Sequence, residues 1–128
     1  MSEHIRLLQD YLLSHNPARF FADDATLEDV LAGGIWRGWE AIDAWHRQAS
    51  PSAVLEGQAE LVRLIEGDGV VAAELLVVGA PDSNGNAVRL PMVGIYEVAG
   101  RMIHRARLYF DPARPIARTL KELGADSR

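Results

Sequence analysis

From Val54 to Phe110 the chain runs through four segments rich in valine and leucine, and the turn signals between them constrain the fold more than any other feature. The segments are Val54–Glu66, Gly69–Gly79, Ala87–Val98 and Met102–Phe110. Between them stand Gly67-Asp68-Gly69, Asn84-Gly85-Asn86 and Ala99-Gly100, residue types that accept the backbone of a tight turn. Strands joined this closely form an antiparallel meander.

The first third reads helical. Ser2 can cap a helix whose apolar Ile5, Leu8 and Leu12 fall on one stripe, with Tyr11 beside it. His15-Asn16-Pro17 ends that helix, and Asn16 as cap with Pro17 at the first position restarts a short one through Phe21. A short strand closing at Asp29 follows. Gly33-Gly34 marks a turn, and Trp36-Arg37-Gly38-Trp39 leads into a helix from about Glu40 to Gln48, with Ile42, Trp45 and Ala49 toward the core. Asp111-Pro112 stops the sheet, and a terminal helix is expected from Pro115-Ile116 through Leu123. Helices first and strands after is the α+β pattern. At 128 residues, with no repeat or linker, the chain is expected to form one domain over residues 1–128.

Composition excludes several functions. No apolar run approaches a membrane span, and Met1-Ser2-Glu3-His4 carries no signal-peptide pattern, so a cytoplasmic protein with no membrane partner is expected. Without cysteine there is no disulfide or thiolate chemistry. A net charge of -5 and the lack of a basic run argue against nucleic acid. His4, His15, His46 and His104 lack metal-ligand spacing, Asp23 and Asp24 fit a helix end better than a cation site, and no cofactor is expected.

Within Phe21-Ala22-Asp23-Asp24-Ala25-Thr26-Leu27-Glu28-Asp29, a strand puts Leu27 and Asp29 on one face. A carboxylate beside leucine on an inward face is costly as structure but suits a general base in an apolar pocket; a solvated turn aspartate is the plain alternative. With Asp29 inward, the same face collects Ala73, Leu75 and Val77, then Met92, Gly94 and Tyr96, then His104, Ala106, Leu108 and Phe110. The other face carries Glu74, Leu76 and Val78, then Arg89, Val93, Ile95 and Glu97, then Arg105, Arg107 and Tyr109. Apolar residues mixed with both signs of charge, on a face the helices leave uncovered, suggest a homodimer surface.

Three stretches carry a family resemblance. They are Ala22 to Asp29, then Gly38-Trp39-Glu40-Ala41-Ile42-Asp43-Ala44-Trp45-His46-Arg47-Gln48, then Gly100-Arg101-Met102-Ile103 with Arg107-Leu108-Tyr109-Phe110-Asp111. With them the chain resembles the nuclear transport factor 2-like superfamily of ketosteroid isomerases, SnoaL-like polyketide cyclases and limonene epoxide hydrolases. The resemblance implies a cone-shaped, curved antiparallel sheet wrapped around N-terminal helices, an α+β barrel with an apolar cavity. It puts Asp29 on the isomerase base. It puts Tyr11 on the oxyanion-hole tyrosine if the short Ser14-His15-Asn16-Pro17 connection is read as a deletion. Trp45 falls on an aromatic pocket wall and His46 on a tyrosine of the supporting hydrogen-bond network.

Two family patterns break. The protonated aspartic acid of the isomerase oxyanion hole falls on Gly94, and losing such a donor costs about 10²–10³ in rate. The epoxide hydrolase arginine and aspartates fall on Leu75, Val77 and Leu108, which cannot activate water. What remains is a cavity for a hydrophobic small molecule such as a cyclic ketone, polyketide or steroid-like compound. It is lined by Leu27, Trp45, His46, Leu75, Val77, Met92, Gly94, Tyr96, Leu108 and Phe110. If the protein is an enzyme, Asp29 transfers a proton at carbon beside a carbonyl, in isomerisation, cyclisation or elimination. Tyr11, His104 or Tyr96 would then hold the carbonyl oxygen. The alternative is a non-catalytic binding or oligomerisation module of the same fold.

Overall fold

The computed structural model describes residues 2–111, and the terminal helix expected near Pro115 lies outside them. Helix α1 spans Glu3–Leu13, and its cap is the one expected, with the Ile5 N–H donating to Ser2 Oγ at 3.0 Å. It buries Leu7, Leu8 and Tyr11, while Ile5 and Leu12 pack at the margin. A 3₁₀ turn over Pro17–Phe20 delivers the chain into strand β1, Phe21–Asp29. Strand β2, Gly34–Arg37, turns back on β1, pairing Leu27 with Trp36 and Asp29 with Gly34. Helix α2, Trp39–Ala44, then loosens into one π turn over Trp45–Ala49, closed by the Ser50 N–H on the Trp45 carbonyl. Helix α3 is a single turn, Pro51–Val54, capped by Ser50.

Strands β3 (Gln58–Glu66), β4 (Val70–Pro81), β5 (Ala87–Ala99) and β6 (Met102–Tyr109) form the expected antiparallel meander. The sheet order is β2-β1-β6-β5-β4-β3, giving a curved sheet of six strands that does not close. One pairing departs from an all-antiparallel sheet, since β1 runs parallel to β6. The helical segments between them let β1 reach the far side of the meander and dock beside its last strand.

Alternation along β4 and β5 sorts the faces cleanly. Val71, Ala73, Leu75 and Val77 are buried from β4, and Leu90, Met92, Tyr96 and Val98 from β5. They meet Leu8, Tyr11, Ala18, Ile42 and Trp45 in one core. Burying that apolar area, at about 25 cal/mol per Å², is what holds helices and sheet together.

Three local expectations are corrected. Val54 does not open a strand, because Ser50-Pro51 is a cap with proline at the first helical position, and a helical turn claims the residues to Val54. Ala49 is exposed, because the π turn rotates it away from the core. His104 does not face inward. The register steps from Glu97↔Arg105 to Val98↔Ile103, so His104 is the extra residue of a β-bulge. Ile103 and Ala106 are therefore both buried, and the His104 side chain is exposed to solvent.

Among the described residues no helix is long and apolar enough to cross a membrane.

Candidate functional site

A cavity of about 320 Å³ opens between α1, the start of the 3₁₀ turn, α3 and the inward face of the sheet. Seven of the expected residues reach it: Tyr11, Trp45, His46, Leu75, Met92, Tyr96 and Leu108. Leu27, Val77 and Phe110 are buried in the core and do not line it. Gly94 lies under a neighbouring ring. The rim adds Leu12 and Ser14, read from the sequence only as a helix stripe and a connection, and Ser50, Pro51 and Gln58. Ser50-Pro51 carried a signal that could have found them, because a helix start places a short wall there.

Aromatic side chains form the deep wall. The Tyr11 ring meets Phe21, His46 and Tyr96 edge-on, with centroids 5.4, 5.7 and 5.6 Å apart. Trp45 packs against His46 at 4.9 Å. Three polar tips are embedded in this wall. The Tyr11 hydroxyl lies 2.8 Å from His46 Nε2, and His46 Nδ1 lies 2.8 Å from the Ile42 carbonyl.

These partners assign the protons. A carbonyl only accepts, so His46 Nδ1 carries the hydrogen. Burial pushes the His46 pKa below its ordinary value, against the Ile42 carbonyl and the Asp43 charge, which favour the cation. The ring is therefore neutral near pH 7 and Nε2 accepts, so the Tyr11 hydroxyl donates to it. Tyr96 stands beside Tyr11, its ring centroid 5.6 Å away. Burial drives both phenols well above their usual range and keeps them protonated.

Asp29 is buried too, with 6% of its surface exposed. Leu27, two residues before it, is fully buried on the same face. One carboxylate oxygen accepts the Ala32 N–H at 3.2 Å and the Asp29 carbonyl accepts the Gly33 N–H at 2.8 Å, so the residue also ties the β1–β2 turn. Burial raises its pKa and the Ala32 hydrogen bond partly offsets this. Among the described residues no cation forms an ion pair with it. Asp29 stands one strand beyond the cavity lining, directly beside Leu108 of β6, which does line it.

Where the cross-strand charges lie, they are matched. On the outer face Arg105 meets Glu97 at 3.5 Å and Glu28 at 3.9 Å, and Arg107 meets Glu28 at 3.8 Å. These pairs face away from the cavity, whose described lining includes no Asp, Glu, Lys or Arg.

A six-stranded curved sheet over N-terminal helices, with a cavity between them, defines the nuclear transport factor 2-like class of fold. Residues 15–106 match the family model of the SnoaL-like domain, and the chain belongs to that family. No curated protein matches it. Solved structures do. A hypothetical protein with a ketosteroid isomerase-like fold from Catenulispora acidiphila, in complex with trimethylamine, shares 17% identity over 89% of each chain, with a TM-score of 0.70. A candidate SnoaL-like polyketide cyclase from Jannaschia sp. shares 12% over 91% of this chain and 90% of its own, at 0.72. The epoxide hydrolase/cyclase-like enzyme SalBIII, of pyran ring formation in the polyether salinomycin, shares 18% over 88% and 93%, also at 0.72. At these identities the likeness is one of fold.

Proposed function

We propose that this chain binds an uncharged, largely apolar small molecule bearing a carbonyl, and that Asp29 moves a proton at the carbon beside that carbonyl. The observation that carries this reading is a buried carboxyl without a cation partner, on the inward face, next to a cavity-lining leucine. A carboxyl with a raised pKa is a better proton acceptor than one in water, and positioned acid–base groups contribute about 10²–10⁴ in rate. On this reading the ligand extends past Leu108 toward it. Asp29 would take the proton, negative charge would grow on the ligand oxygen against the phenols, and the proton would return elsewhere on the carbon skeleton. Returned to carbon, the proton completes an isomerisation; if the enolate carbon instead attacks a second carbonyl of the ligand, the proton goes to that oxygen in a cyclisation, and if the enolate expels a hydroxyl, the proton leaves with it as water in an elimination, none of which asks for a cofactor. The outer sheet face, where Ile65 and Val93 are 57% and 39% exposed, is the surface we assign to a homodimer partner.

The test is deuterium exchange at the carbons beside the carbonyl of 2-decalone, followed in heavy water with wild-type protein and Asp29→Asn. The reading expects exchange above the buffer rate, lost by about 10²–10⁴-fold in the variant while binding persists.

A second reading rests on the gap between Asp29 and the lining. A binding module of the same fold would hold the ketone through the aromatic wall and exchange no protons, and Asp29 would only tie its turn. Ketone binding without exchange in the wild-type protein selects that reading.

A further inference from the structure

Gly94-Ile95-Tyr96 and Gly34-Ile35-Trp36 share a local design, in which an aromatic ring folds back along its strand over the glycine two residues earlier. A Cβ at Gly34 would lie 2.6 Å from the Trp36 ring. A Cβ at Gly94 would lie 2.5 Å from both the ring and the hydroxyl oxygen of Tyr96. Gly94 is therefore more than a missing side chain. It is the space that the Tyr96 phenol fills, and the phenol oxygen arrives at the place where a side chain at position 94 would begin.

Proton accounting then separates the two tyrosines. The only N–H of neutral His46 is spent on the Ile42 carbonyl, and the Tyr11 proton is spent on His46 Nε2. Tyr96 holds the one remaining proton of the three groups. It takes no part in the Tyr11–His46–Ile42 chain and can turn to a guest without breaking it. The described lining includes no lysine or arginine, so an anionic ligand would enter uncompensated, whereas a neutral carbonyl needs one donor.

We propose that Tyr96, folded over Gly94, is the hydroxyl donor this cavity offers to a neutral carbonyl oxygen, and that Tyr11 is a positioning residue whose proton is held by His46. The role that the resemblance implied for Tyr11 passes to Tyr96, and the donor missing from position 94 is supplied from position 96. This inference rests on the reading of a carbonyl ligand but not on proton transfer by Asp29.

Two resonances test it. Imidazole ¹⁵N spectra, with His46→Gln identifying the signal, are expected to show the proton on Nδ1 and a hydrogen-bonded, unprotonated Nε2. Tyr11→Phe should move the Nε2 signal, and Tyr96→Phe should leave the tautomer intact, which also reports that the variant is folded. The carbonyl ¹³C signal of labelled 2-decalone should move downfield on binding wild-type protein. Tyr96→Phe should abolish that movement and weaken binding about three- to tenfold, while Tyr11→Phe keeps most of it. A proton on Nε2 overturns the proposal, because Tyr11 would then accept from His46 and be free to donate. A carbonyl signal unmoved by wild-type protein, or moved equally by Tyr96→Phe, also overturns it. Failure of exchange in the Asp29 experiment leaves both resonances as expected, so the two ideas fail separately.

Discussion

Two buried polar sites face the same interior and are built on opposite principles. Around Tyr11 and His46 a chain of bonds runs from the phenol through the imidazole and ends on a backbone carbonyl, with Tyr96 packed beside it. Around Asp29 a carboxyl is held by a single backbone N–H with no opposite charge. The first site is satisfied and should be rigid. The second is under-satisfied, and the fold tolerates it at the end of a strand where a turn needs tying. A group left in that state is poised to change its protonation when something enters.

The largest effect that bears on this contrast should come from Gly94→Val. The added side chain meets the Tyr96 ring and displaces it from its packed place over the glycine, so a loss of about 1–3 kcal/mol is expected in urea unfolding. The carbonyl-binding signature should vanish with it. A variant as stable as wild type would mean that the ring is not held over the glycine.

Tyr11→Phe removes the donor to His46 and leaves a buried ring nitrogen unmatched, which costs about 1–3 kcal/mol by the same assay. The His46 site also predicts a pH dependence. Its folded pKa lies below its unfolded value, so its contribution is present above about pH 6.5 and is lost as pH falls through the folded value. The unfolding midpoint should fall in that window, and His46→Gln should remove the fall.

Asp29 should do the reverse. Its folded pKa is raised, so its contribution is full below the unfolded value and lost as pH rises through the folded one. At neutral pH its charge is a net cost. Asp29→Asn keeps an oxygen for the Ala32 N–H and should stabilise the protein by on the order of 1 kcal/mol, a gain that disappears in acid. Destabilisation by Asn at neutral pH would show the carboxylate to be paired after all. The smallest effect belongs to His104→Ala, which on an exposed bulge should stay within about 0.5 kcal/mol and leave ligand binding unchanged.

The meander could be read from the chain because its turns are chemically marked, and the helix start at Ser2 could be read because a serine cap is local. The bulge at His104 could not. Counting by twos back from Phe110 puts His104 inward, and only the pairing with β5 shows that one residue is skipped. Strand β2 is four residues long behind a Gly-Gly pair, and it exists because β1 offers it an edge. The inward placement of Tyr11, His46 and Tyr96 followed from periodicity and resemblance. The direction of their hydrogen bonds did not, because it depends on His46 meeting the Ile42 carbonyl four residues back at the change from α to π turn. Asp29 was legible as an inward carboxylate. Its position one strand outside the lining depends on the parallel register with Leu108, which no local pattern encodes.

The central proposal is that Asp29, an under-satisfied buried carboxyl one strand from the cavity lining, meets the bound ligand. Its pKa, read by carbon-detected NMR titration with Asp29→Asn identifying the signal, measures this directly, first without ligand and then with a phenol that mimics an enolate. The account predicts a value above the ordinary aspartate range that moves when the phenol binds. An ordinary value, indifferent to the phenol, would contradict it and leave a binding module whose aspartate only ties a turn.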